Sequence, residues 1–158
     1  MIRPLAAFSL LAAAPLALTA CGTSDAPAEG SQEAREVTIE NARLVLPSVS
    51  GNPGAVYLDI TNGSEKAVEI VSGELDGAGK TEFHLSQMAD GAMMMGEAEP
   101  QTIQPGGSLA FKPGSFHLMA FDLGPDFAPG GEAEGALVTA DGKRHPFTAT
   151  IQSAGDAR

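Results

Sequence analysis

The chain has 158 residues, 43% of them apolar, with 19 glycines, 11 prolines, no tryptophan and a formal net charge of −11. That length fits one hydrophobic core, and the glycine and proline content predicts many turns and few long helices. A surface this acidic does not neutralise phosphates, which argues against nucleic acid as a partner and leaves cations or basic proteins.

The first element is not part of a fold. Arg3 and the amino terminus give a positive start, Pro4 to Ala17 is an apolar run, and Leu18-Thr19-Ala20-Cys21 follows. An apolar segment of this length before small residues predicts a secretory signal peptide over 1–20 rather than a membrane span. The Leu-Thr-Ala-Cys ending resembles the lipobox of bacterial lipoproteins, which implies cleavage before Cys21 and a lipid on its thiol. The expected location follows: exported, and held to a bacterial membrane on its periplasmic side by the lipid. Cys21 is the only cysteine. Once it is lipidated, the chain has no disulfide and must build any metal site without thiolate. Residues 21–36, rich in Ser, Ala, Glu, Gly and Pro, read as a flexible tether.

From Val37 to Gln152 short apolar or alternating runs are divided by turn clusters. Val37–Glu40, Arg43–Leu46, Ala55–Ile60 and Ala67–Val71 come first, with Asn62-Gly63-Ser64 as a turn and a glycine-rich turn at Gly73–Gly79. Thr81–Leu85, Ala92–Met95, Ser108–Lys112, Phe116–Leu123, Gly135–Thr139 and Pro146–Ile151 complete the set. Strands this short and regular predict an antiparallel sandwich or barrel. Residues 153–158 are expected to be a disordered tail.

The sequence offers little to catalysis. Gly79-Lys80-Thr81 has Glu74 where a phosphate loop needs glycine, and there is no Gly-x-Ser-x-Gly elbow. Glu132 and Glu134 read as solvated residues of a polar turn. Nothing presents a nucleophile or general base, so the chain is not read as an enzyme.

The methionines and histidines are unevenly placed. Met88, Met93, Met94 and Met95 follow His84, and Met119 follows His117 by two. On a strand His117 and Met119 share one face, while Phe116, Leu118 and Ala120 take the other, core-facing one. The pair is then expected on the opposite face or near a rim. Thioether is a soft neutral donor and imidazole a borderline one, a combination suited to Cu(I) and to a lesser degree Cu(II). Zinc would favour histidine with carboxylate or thiolate. A single methionine is ordinarily core filler; it is the set of four that points to a metal.

The spacing makes the set specific. His84, ten residues, Met95, twenty-one residues, His117, one residue, Met119 resembles the His-x10-Met-x21-His-x-Met signature of the periplasmic copper chaperones called PCu(A)C. Gly54-Ala55-Val56-Tyr57-Leu58, Glu82-Phe83-His84 and Phe111-Lys112-Pro113-Gly114-Ser115-Phe116-His117-Leu118-Met119 resemble the same family, so the likeness spans 37–152. The resemblance implies an all-β, cupredoxin-like or immunoglobulin-like antiparallel β-sandwich. It implies one copper ion held by His84, Met95, His117 and Met119. It also implies delivery to the binuclear copper centre of cytochrome c oxidase, alone or beside a Sco-type protein.

Three consecutive methionines depart from the pattern. Met93 would share a face with Met95 and substitute for it or assist it; Met94 would not. Met88 is either a hydrophobic lip or an auxiliary sulfur. All four donors are expected at one exposed end of the sandwich, with His84 and Met95 flanking a loop that carries Met88. The tail lacks His and Met, so no second site is expected there, and His145 reads as an exposed, non-ligating turn residue. A lipoprotein that buffers periplasmic copper or confers resistance would need the same residues. An electron-transfer cupredoxin would need the thiolate that this chain lacks.

Overall fold

The computed structural model describes residues 37–156; the expected signal peptide, Cys21, the tether and residues 157 and 158 lie outside them. Ten strands run β1 Val37–Val45, β2 Gly54–Asn62, β3 Val68–Leu75, β4 Lys80–Ala89, β5 Ala92–Glu97, β6 Gln101–Ile103, β7 Ser108–Phe111, β8 Phe116–Phe121, β9 Glu132–Thr139 and β10 Arg144–Gln152. They pair in the order β5-β4-β8-β2-β1-β10-β9-β3-β6, with β7 joining β2 beside β8. Their ladder folds over one core, giving the all-β sandwich the sequence predicts.

Alternation explains the strands. Along β2, Val56, Leu58 and Ile60 are buried while Tyr57 is half-buried and Asp59 is exposed, the period-2 pattern of a strand with one face on a core. The inward residues of distant strands meet. Leu118 of β8 lies against Gly73 of β3, where a Cβ would come within 2.7 Å of the leucine side chain. Phe83, Phe111 and Phe116 form an aromatic cluster, with Phe111 and Phe116 ring centroids 4.8 Å apart. Asn62 is buried at the end of β2, donating to the carbonyls of Lys66 (2.7 Å) and Ile103 (2.9 Å) and so closing the turn.

Several expectations are corrected. The pairing is not wholly antiparallel, because β10 lies parallel to β1. β2 pairs with one edge of β1 and β10 with the other. The two runs expected over 37–46 are one strand with a register shift between Glu40 and Arg43, where Asn41 takes a positive φ of 53°. Gly73 lies within β3, since only glycine leaves room for Leu118. Gln101–Ile103, short and flanked by turn residues, pairs with β3 and was not expected as a strand. Glu132 and Glu134 lie on β9 and not in a turn. Ser153 to Asp156, expected to fray, form a turn in which Asp156 N–H donates to the Ser153 carbonyl at 3.1 Å.

Candidate metal centre

Strands β8, β4 and β5 lie side by side at one edge of the sheet and carry all four sequence-identified donors. His84 and His117 are direct cross-strand partners, as are Glu82 and Met119. Met95 sits opposite Ser86, two pairs further along the β4–β5 ladder than His84 and Glu97 and therefore on the same face. Residues 82, 84 and 86 share a face by alternation, so all four donors project from one side of the sheet, away from Phe83, Phe116 and Leu118.

His117 is 4% exposed and Met119 7%, although both stand on the face away from the core. The His117 ring lies between those of Tyr57 and His84, with centroids 6.1 Å away on each side. Its Nδ1 is 2.8 Å from the Ser115 carbonyl. Only an N–H bonds a carbonyl, so Nδ1 carries the proton and the neutral ring keeps its lone pair on Nε2. Burial holds this imidazole below its ordinary pKa, against the pull of the Ser115 carbonyl and with help from the neighbouring His84. The ring is thus kept in the neutral form a metal requires.

His84 is tethered the other way. Its Nε2 lies 3.2 Å from Glu82 Oε2, and the Lys80 ammonium is 2.7 Å from Glu82 Oε1. The lysine bond first and the histidine bond second keep the Glu82 carboxyl below its usual range, ionised. A carboxylate only accepts, so Nε2 donates, and in the neutral ring the lone pair falls on Nδ1. That Nδ1 is buried and has no hydrogen-bond partner. A buried polar atom without a partner is costly, and bonding to a metal would satisfy it. The donor set therefore fits a soft cation: two lone pairs on facing imidazoles, with thioethers beside them.

The structure corrects the expected exposure. Met95 is 55% exposed, but His117 and Met119 are closed to solvent, so the set opens on one side only. No loop carries Met88. It lies on β4, and β4 passes into β5 through a two-residue turn at Asp90-Gly91, with φ of 51° and 81°, the type I′ geometry that tight hairpins favour. His145 lies on β10 opposite Leu137, half-buried and not in a turn. Sequence reasoning missed Glu82 and Tyr57 as neighbours of the histidines. Glu82 stands two residues before His84, a same-face spacing that would have found it.

The LpqE-like family model matches residues 37–151. No curated protein matches the chain. Among solved structures, the copper-bound PCuAC domain from PmoF2 is similar over 75% of this chain and 93% of its own, at 16% identity and a TM-score of 0.62. Apo-DR1885 from Deinococcus radiodurans covers 97% of this chain and all of itself, at 23% identity and 0.59. CuI-DR1885 from the same organism covers 78% and 83%, at 21% and 0.58. At these identities the likeness is one of fold.

Proposed function

We propose, from the premise that this chain belongs to the LpqE-like family, a family of lipoproteins by its description, that it is an exported copper carrier. Its cargo is one Cu(I) ion, bound by His84, Met95, His117 and Met119. The observation that carries this reading is the pair of facing imidazoles, 6.1 Å between centroids, whose other nitrogens are tied off by Glu82 and the Ser115 carbonyl. Second-contact partners of this kind fix metal-ligating histidines generally. Thioethers on the same face make the set soft, which favours Cu(I) over zinc. Two of the fold relatives were solved with copper bound.

Carriage is favoured over storage because one donor of the inner set, Met95, stays exposed. A receiving protein can add its own donor before the buried ones leave. Neutral donors exchange without releasing a proton. The receiver in this reading is the binuclear copper domain of cytochrome c oxidase, reached directly or through a Sco-type protein, with the lipid on Cys21 keeping the carrier at the membrane. The chain has no role as an enzyme in this reading.

Deleting the gene tests it. Oxidase activity should fall when copper is scarce and recover when copper is added. Intact oxidase activity with sensitivity only to high copper would replace carriage by resistance.

A further inference from the structure

Beside Met95, the β4–β5 hairpin carries three thioethers, Met88, Met93 and Met94, that neither the core nor the four-donor set uses. Met88, Met93, Met94 and Met95 are 64%, 57%, 56% and 55% exposed, and none belongs to the core cluster. Every residue of β5 is exposed. Natural edge strands usually protect themselves with charge, proline or bulges, and this one presents sulfur instead.

The register orders that sulfur. Met88 pairs with Met93 one pair in from the end of the hairpin, Ser86 with Met95 two pairs further inward, and His84 with Glu97 two pairs beyond that. Alternation puts Met88, Met93 and Met95 on the His84 face and Met94, opposite Gln87, on the other. Same-face pairs follow one another at about 6.5–7 Å along a strand. A line of soft donors therefore runs from the hairpin tip to the facing histidines, with Met95 in its middle. The inner end is closed, since His117 and Met119 are only 4% and 7% exposed. An ion arriving from solvent meets the outer thioethers first.

We propose that Met88 and Met93, with Met95, form a second Cu(I) site at the hairpin tip through which the ion enters and leaves the inner set. Directly opposed side chains stand about 4.5–5.5 Å apart at Cβ, and methionine has three rotatable bonds with which to close on one ion. Movement inward is ligand exchange. The bonds to Met88 and Met93 sulfur break as bonds to His84 Nδ1, His117 Nε2 and Met119 sulfur form, while Met95 remains bound. Copper stays Cu(I), and no proton or electron is transferred. The destination rests on the inner reading given above; the outer site itself does not.

Methyl-labelled methionine separates the two. Protein carrying 13C-methyl methionine is titrated with Cu(I) under reducing conditions. The first equivalent should shift the Met95 and Met119 methyls and the second should shift Met88 and Met93, with Met94 unmoved. In the double variant Met88→Leu/Met93→Leu, binding of the second equivalent should be lost. The first should keep its affinity but load more slowly from a Cu(I) chelator. Met88 and Met93 methyls unmoved at two equivalents overturn the outer site. So does a second equivalent that the double variant still binds, or a Met94 shift equal to theirs. Shifts of Met88, Met93 and Met95 with Met119 unmoved at two equivalents would uphold the outer site and sink the inner one.

Discussion

His84 and His117 are cross-strand partners on β4 and β8 with ring centroids 6.1 Å apart, and they are tied to the protein through different nitrogens. His117 is fixed through Nδ1 by a backbone carbonyl, His84 through Nε2 by a carboxylate. One anchor is a backbone carbonyl just before β8 and cannot be removed by mutation of a side chain. The other is a surface glutamate, itself paired to Lys80. The two histidines therefore differ in how easily their orientation is disturbed.

Glu82→Gln removes the charge from that second anchor. The amide can still meet the ring, but it no longer specifies which His84 nitrogen holds the proton. Cu(I) affinity should fall by about 10–100-fold, the usual effect of losing a histidine's outer partner. Nitrogen NMR of the apo protein should show His84 as a tautomer mixture while His117 stays protonated on Nδ1. Unchanged affinity with an unchanged tautomer would show that Glu82 does not orient the ring.

His117→Ala and Met119→Ala should each weaken Cu(I) binding strongly, read by competition with a Cu(I) chelator. Met94→Leu should bind as the parent does, because its side chain leaves the opposite face of β5. Equal losses in all three would mean that the face assignment is wrong.

Much of the site is legible in the sequence because strand alternation is local. Phe116, Leu118 and Ala120 alternate with His117 and Met119, and that alone divides β8 into a core face and a donor face. The burial of the donor face was not legible, since it depends on neighbours such as Tyr57 that arrive from other strands. The pairing of His84 with His117 is equally non-local, and in the sequence only the spacing shared with a family stands in for it. Gly73 misled because glycine usually marks a turn; here it accommodates Leu118 inside β3.

Gly73→Ala should destabilise the fold by about 1–3 kcal/mol, the usual cost of overpacking a filled core. The new methyl would lie 2.7 Å from Leu118 Cδ2, and Leu118 is fully buried and cannot swing aside. Because Leu118 stands between His117 and Met119 on β8, Cu(I) affinity should drop as well. Chemical denaturation and chelator competition measure the two effects, and a stable variant with weakened binding would separate them.

Cys21→Ser should release the protein from membranes into the soluble periplasmic fraction with its copper binding unchanged. A variant that stays with the membrane through a salt wash would show that something other than a lipid on Cys21 holds it.

The parallel pair β1–β10 joins the first strand of the fold to the last, with Arg43 opposite Thr150 and Val45 opposite Gln152. Contacts between residues so far apart in sequence form late and slow folding. Until residues 150–152 have emerged, the edge of β1 at Arg43–Val45 has no partner. A chain being threaded through a membrane pore must remain unfolded until its end has passed, and this topology delays its own completion until then.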